Sequence, residues 1–234
     1  MTESTRMSVT SQPTVSPCRP VVAVQWHSET IYELVLQREG LEFAPGDCVS
    51  ITTASGVSRP YSIASGPTED VLRFLIRRVP GGQVSGDLAS ARVGDAVTLS
   101  PPFGWFRPAR EAGVRPYVYV ATSTGVAPFL SALRSGLATP PAAILYGVRE
   151  LADAVGLADL QAGAPTHLAL SRETAPGHHH GRVTDLLDRL PITADTQVFL
   201  CGLDAMIESV SDSLEARGVD FTRIHREVFF HAKH

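Results

Sequence analysis

The chain has 234 residues, 44% of them apolar and 19% charged, which suits one large or two modest domains with real cores and excludes extended disorder. A formal charge of −4 with no lysine or arginine block argues against a nucleic-acid or membrane partner, and no stretch has the length and apolarity of a transmembrane helix. Cys18, Cys48 and Cys201, odd in number and far apart, make neither a disulfide framework nor the four-thiolate site of a plant-type iron–sulfur centre, so a reduced, cytoplasmic setting is expected.

Residues 1–17 are rich in Ser, Thr and Pro, lack an apolar run of signal-peptide length, and read as a flexible leader. From 18 to 109 the pattern is strand-like: VVAVQW, TIYELVLQ, CVSITT, SRPYSIAS, VLRFLIRRV and AVTLS, punctuated by Pro45-Gly46-Asp47, Gly66-Pro67, Pro80-Gly81-Gly82 and Gly94-Asp95. Six short strands at this spacing predict a closed antiparallel barrel, with a helix only near residues 85–91. After a polar hinge at Pro108–Arg115 the period changes. YVYVA, AAILYGV, THLALS, TQVFLCG and the terminal FTRIHREVFF alternate with helical patterns, including one marked by Val126, Phe129, Leu130, Leu133 and Leu137 and others in ELADAVGLADL and VTDLLDRL. The expected fold is therefore a six-stranded antiparallel β-barrel followed, over 115–234, by a five-stranded parallel α/β domain of dinucleotide-binding type.

Three stretches attract chemical readings. Ala121 to Pro128 joins the first parallel strand to its helix, where unpaired amide groups and the helix dipole favour a pyrophosphate; small residues there serve tight packing equally well, and Ser123 stands where a second glycine would favour phosphate. In Ser58-Arg59-Pro60-Tyr61-Ser62, strand alternation sets Arg59 and Tyr61 on one face, an arginine that can clamp phosphate and a ring that can stack, or else a surface charge and a half-buried tyrosine at a barrel edge. His178-His179-His180 lies in a Pro-Gly loop with no Cys or carboxylate at ligand spacing, so it reads as a solvated loop and no metal is expected.

RPYSIAS, GGQVSGDL, ATSTGVAPF, LYGVRE, LALSRE, FLCGLDAM and REVF, in that order and covering nearly everything from Arg19 onward, resemble the ferredoxin–NADP reductase family, which joins a flavin-binding barrel to a pyridine-nucleotide domain. The resemblance implies FAD as cofactor and NADP(H) as substrate. Arg59, within the Arg59-Pro60-Tyr61-Ser62 motif, would neutralise the FAD pyrophosphate, Tyr61 would stack on the isoalloxazine and Ser62 would reach flavin N5. The backbone of Leu75 and Ile76, with Arg77 next to them, would line the flavin, and Gly82, Gln83, Val84 and Ser85 would cradle the pyrophosphate through amide groups. The same piece also reads as a loop followed by a helix capped at Ser85.

In the second domain Thr124, Gly125 and Val126 resemble the nucleotide-pyrophosphate turn, although the family more often has glycine at the place of Ser123. Ser171 and Arg172 match a pair that contacts the 2′-phosphate, and Arg149 and Arg182 are further cations for it; no acid directly ends the second strand, so NADPH is expected over NADH. Arg172 and Arg182 also read as solvent-facing charges. Cys201 and Gly202 resemble the segment beside nicotinamide and flavin, or else Cys201 is a small buried hydrophobe. Glu227-Val228-Phe229 matches the family's Glu-x-aromatic end: Phe229 would shield the flavin ring and Glu227 would relay protons, while the plainer reading has Val228 and Phe229 ending the last buried strand. Ser62, Cys201, Glu227 and Phe229 form the implied catalytic set. Phe230 is expected to pack in protein, and residues 231–234 to reach toward the FAD adenine.

The implied reaction is hydride transfer between NADPH and flavin N5, then single-electron steps to a separate carrier, ferredoxin or flavodoxin. Such an acidic partner would be drawn to Arg73, Arg77, Arg78, Arg107 and Arg110 if these share a rim, and a monomer is the expected state. Two alternatives stand beside this reading: an NADH-dependent reductase component of an oxygenase system, and a non-catalytic flavin- or nucleotide-binding sensor.

Overall fold

The computed structural model describes residues 18–110 and 115–229; the leader reading of 1–17 and the readings of Phe230 and of 231–234 lie outside them. Six strands form the first sheet: β1 (Cys18–Trp26), β2 (Ile31–Gln37), β3 (Cys48–Thr52), β4 (Ser58–Ser62), β5 (Val71–Arg77) and β6 (Ala96–Leu99). They pair antiparallel in the order β4-β3-β6-β1-β2-β5. The sheet closes just beyond β4, where the Ala64 amide donates to the Arg73 carbonyl at 2.8 Å, so this sheet is a barrel as expected. Its interior holds Leu34, Leu36, Val49, Ile51, Phe74 and Ile76, all essentially inaccessible. Helix α1 (Gln83–Ala89) plugs one end with Val84 and Leu88, and the Tyr32 hydroxyl pins it by donating to the Ser85 carbonyl at 2.7 Å. Gly82, not Ser85, is the cap residue of this helix: Ser85 sits one turn in, and its hydroxyl accepts from the Val79 amide at 3.1 Å.

The second sheet is parallel. Its strands are β7 (Tyr117–Thr122), β8 (Ala143–Val148), β9 (Thr166–Leu170), β10 (His179–His180), β11 (Gln197–Gly202) and β12 (Ile224–Val228), in the order β10-β9-β8-β7-β11-β12. The five expected strands are present, and a two-residue sixth extends the edge. That strand corrects the solvated-loop reading of His178-His179-His180: Gly177 and Gly181, at φ +80° and +148°, let the chain run beside β9, where His179 and His180 pair with Ala169 and Leu170. Period-2 alternation sends Tyr117, Tyr119 and Ala121 to one face and Val118 and Val120 to the other. Helices α2 (Ala127–Arg134) and α3 (Leu157–Gly163) cover the first face; α4 (Asp204–Ala216) and a 3₁₀ turn at Val183–Arg189 cover the second.

The helix expected in ELADAVGLADL is divided into a 3₁₀ turn at Leu151–Asp153 and α3, because Gly156 adopts φ +73° between them. The barrel packs on the first face of the parallel sheet. Ile31, Ala64, Leu75 and Phe106 enter its core, and the Phe106 ring meets Phe129 and Phe199 edge-on at 5.7 Å each. Hydrogen bonds from Ser131 Oγ to the Ser65 carbonyl (2.8 Å) and from Arg134 Nη1 to the Ala64 carbonyl (2.9 Å) complete the junction. Among the described residues no helix is long and apolar enough to cross a membrane.

Candidate active site where the barrel meets the parallel sheet

The order of the parallel sheet reverses at β7, with β8 on one side and β11 on the other. Helices leave the two neighbouring strands on opposite faces there, and a crevice opens at the carboxyl ends. A cleft of about 780 Å³ lies at this place, lined by Thr122, Gly147, Val148, Ser171 and Gly202 from the strand ends, by Arg149, Arg172 and Arg182 from the following loops, and by Phe229 after β12. The sequence-predicted residues Arg77, Thr124, Arg149, Ser171, Arg172, Arg182, Gly202 and Phe229 thus share one cavity.

Between β7 and α2 the chain makes a 3₁₀ turn at Ser123–Val126. Ser123 has φ +53°, a left-handed conformation that a glycine adopts without the roughly 1–2 kcal/mol cost to other residues. Its hydroxyl accepts from Arg77 at 2.8 Å (Nη2) and 3.2 Å (Nε), which offsets that cost and ties the turn to the barrel. At Gly125 a Cβ would lie 2.5 Å from the Cys201 carbonyl oxygen and 2.6 Å from the Gly202 Cα. Gly125 therefore allows the turn to pack on β11, the tight-packing role, while Val126 is buried and Thr124 faces the cleft.

Arg77 is held by three partners. Beyond Ser123, its Nη1 donates to Thr30 Oγ1 at 3.0 Å and its Nη2 lies 3.6 Å from Asp153 Oδ2. Asp153, itself buried, also accepts from Ser28 Oγ at 2.6 Å. Burial, and secondarily the nearby Arg149, lower the Arg77 pKa against the pull of Asp153. Arg149, Arg172 and Arg182 are exposed, and among the described residues none of the three is in an ion pair. Across the same edge, Asp185 accepts from the Arg182 amide (2.8 Å) and faces His179 Nε2 (3.2 Å), and these bonds lower its pKa.

On the barrel side, Arg59 and Pro60 are exposed, Tyr61 is half-buried with its pKa pushed up to about 12, chiefly by burial, and Ser62 is buried. Leu75 points into the junction and Ile76 into the barrel core. Gln83 is exposed at the start of α1, Val84 and Ser85 are buried, and at Gly81 a Cβ would meet nothing within 4 Å. Of the five arginines expected on a basic rim, three are paired: Arg73 with Glu33 (2.8 Å) and Glu69 (3.0 Å), Arg107 with Asp47 (2.8 Å), and Arg77 with Asp153; Arg78 and Arg110 are exposed and in no ion pair among the described residues.

The acid–base groups gather where β12 ends beside the barrel. Ser62 Oγ donates to Glu227 Oε1 at 2.9 Å, and Cys48, the cross-strand partner of Ser62, lies 3.3 Å from Ser62 Oγ and 3.8 Å from the same carboxylate oxygen. Burial raises the Glu227 pKa; the donors Ser62 and Cys48 and the Arg107 charge pull it back, while Asp47 pushes it up. Burial also pushes the Cys48 thiol up to about 12, and the Glu227 charge adds to that. Cys201 is fully buried, with its thiol raised well above the ordinary range by burial, then by Glu227 and Cys48. Both thiols are neutral at physiological pH.

This set fits an FAD on the chain's own geometry. An exposed arginine adjoins a half-buried phenol on β4, an open Gly81 leads into the first-turn amides of α1, and a buried hydroxyl meets a half-buried carboxyl two residues before an aromatic ring that borders the cleft. Sequence reasoning missed Cys48, Thr30, Ser28 and Asp153. Only Cys48 carried a signal: it opens the strand after Pro45-Gly46-Asp47, and pairing that strand with SRPYS sets it opposite Ser62.

Residues 24–107 match the family described as an oxidoreductase FAD-binding domain. The naphthalene 1,2-dioxygenase system ferredoxin–NAD(P)(+) reductase component of Pseudomonas putida is 32% identical over 226 residues, covering 90% of this chain and 68% of that protein. The corresponding component of the naphthalene 1,2-dioxygenase/salicylate 5-hydroxylase systems of a Ralstonia species is 34% identical over 203 residues, or 81% of this chain and 61% of that protein. Among solved structures, the Amycolatopsis cytochrome P450 reductase GcoB superposes with a TM-score of 0.78 at 30% identity, covering 92% of this chain and 71% of that one. A ferredoxin NADP+ reductase from Neisseria gonorrhoeae with bound FAD and NADP shares the fold, with a TM-score of 0.82 at 20% identity over 91% of this chain and 98% of that one. The chain spans 61% and 68% of the length of these two curated relatives.

Proposed function

The chain belongs to the ferredoxin–NADP reductase family of FAD-binding oxidoreductases, and within it we propose that this protein moves electrons from NADPH through FAD to a separate one-electron carrier protein. The observation that carries the nucleotide assignment is the trio Arg149, Arg172 and Arg182 on one rim of the cleft. None is neutralised by a carboxylate among the described residues, and Arg149, not an acid, follows the end of β8. Three free guanidinium groups suit a 2′-phosphate better than a ribose diol.

FAD, when bound, supplies the hydride acceptor and releases the electrons singly. The chain supplies the rest. Residues 18–109 form the flavin domain, in which Arg59 and the amides of Gln83, Val84 and Ser85 would hold pyrophosphate, Tyr61 and Phe229 would bracket the ring system, and the backbone of Leu75 and Ile76 would line it. Residues 115–229 form the nucleotide domain, in which Thr124 would face the NADPH pyrophosphate and Gly125 keeps the turn close to Gly202. Ser62 Oγ donates to Glu227 Oε1, and this linked pair would hold a proton beside the reacting edge. Cys201, fully buried at the end of β11, would help keep water from beneath the site.

A second reading, a reductase component serving an oxygenase system, is favoured by the similarity to the Pseudomonas and Ralstonia proteins. The two differ in carrier and nucleotide preference. Titrating the FAD-loaded protein anaerobically with NADPH and NADH separates them: loss of the flavin absorbance at lower NADPH than NADH supports the first, and the reverse order the second. A protein that takes up FAD but is bleached by neither nucleotide would be a sensor, and the enzymatic proposal would fall.

A further inference from the structure

Glu227 is approached from several elements. Ser62 comes from β4, Cys48 from β3, Cys201 from β11, and the ion-paired Asp47 and Arg107 from the segments flanking β3 and following β6. Of these, only Ser62 and Cys48 place a donor on Oε1, at 2.9 and 3.8 Å. Cys48 is held firmly for this. Its amide donates to the Phe103 carbonyl at 2.7 Å, its carbonyl accepts from the Phe103 amide at 2.9 Å, and its ladder position sets it across from Ser62. Its side chain therefore stands on the same face as the Ser62 hydroxyl, with Sγ 3.3 Å from Oγ.

We propose that Cys48 is a positioning residue for Glu227, its neutral thiol holding carboxylate Oε1 against Ser62 and setting the pH at which the carboxyl group beside the flavin site gives up its proton. The assignment rests on the flavin-site reading for its functional meaning, though not for its test. A hydroxyl at this place would be a stronger donor and a larger aliphatic group would supply none. A thiol gives an intermediate, uncharged donor that stays protonated throughout the working range, so it can donate to the carboxylate but never repel it. With this donor gone, the carboxylate form loses one of its two hydrogen bonds on Oε1, and proton release moves to higher pH.

The test titrates the Glu227 carboxyl band by difference infrared spectroscopy in the oxidised, FAD-loaded protein and again without FAD, with Glu227→Gln identifying the band. Cys48→Ala is expected to move the titration up by roughly half a pH unit or more, while Cys48→Ser restores it to the parent value or below. An Ala variant that titrates with the parent would overturn the assignment. So would a Ser variant displaced upward as far as Ala, because loss of packing rather than loss of a donor would then be the cause. Failure to bind FAD or to be reduced by NADPH would instead defeat the functional reading and leave this titration decisive on its own question.

Discussion

Arg77, at the end of β5, donates to the Ser123 hydroxyl at 2.8 Å, so a barrel guanidinium fixes a turn residue of the cleft whose backbone is left-handed. Ser123 carries two opposing contributions, conformational strain and a charge-assisted hydrogen bond, which substitutions can separate. Ser123→Ala keeps the strain and loses the bond, and is expected to lower stability by about 1–2 kcal/mol. Ser123→Gly loses the bond and relieves the strain, and should remain within about 1 kcal/mol of the parent. Urea unfolding of the three proteins, with equal m-values, checks the ordering.

Asp153 joins the two sheets through Ser28, Thr30 and Arg77. Asp153→Ala leaves a mostly buried Arg77 with hydroxyl partners alone and is expected to cost about 1–3 kcal/mol. Asp153→Asn, which keeps an acceptor for Ser28, should cost less. Chemical denaturation gives the magnitudes, and faster limited proteolysis of the Ala variant would locate the loosening at the junction.

Glu227 has its pKa raised in the folded protein. The native state therefore binds the proton more tightly than the unfolded chain, and the associated stability is complete below the ordinary glutamate pKa of about 4.3 and lost as pH rises through the folded value. Glu227→Gln removes that loss while retaining an oxygen for Ser62 and Cys48. The variant is expected to melt a few degrees above the parent at pH 8, with the difference gone by pH 4; an equal difference at both pH values would contradict the assignment.

Arg172 and Arg182 stand on the rim of the cleft with no acidic partner among the described residues. Replacing both by alanine should raise the KM for NADPH by about tenfold or more and leave the NADH value within about twofold, since only the former carries the extra phosphate. Equal effects on both nucleotides would show that these arginines serve the shared pyrophosphate or the fold.

Gly125→Ala is expected to destabilise by about 1–3 kcal/mol, because the new methyl group meets backbone atoms of Cys201 and Gly202 that cannot rotate away. Differential scanning calorimetry checks it; an unchanged melting temperature would mean that the turn and β11 separate without cost.

The sequence by itself determined the class and order of the main elements. Six β-rich runs separated by Gly and Pro signals became the barrel, and YVYVAT, AILYGV, THLAL, QVFLCG and IHREV became the five long parallel strands, because hydrophobic periodicity is a local property that a chain carries wherever it folds. The ordered motifs also placed Arg149, Ser171, Arg172, Arg182 and Phe229 near one another through a known architecture. Local rules failed where a neighbour across the fold decided the outcome. His179 and His180 became a strand because β9 had an edge to pair, and Val183–Arg189 became a 3₁₀ turn rather than a helix. Only the tertiary structure decided which groups share a proton: Ser62 and Glu227 are 165 residues apart, Cys48 reaches them by strand register, and Asp153 finds Arg77 only because the barrel docks on the parallel sheet. Hydrogen bonds to a carboxylate and the burial that shifts its pKa act over a few ångströms in space, and a sequence records distance along the chain.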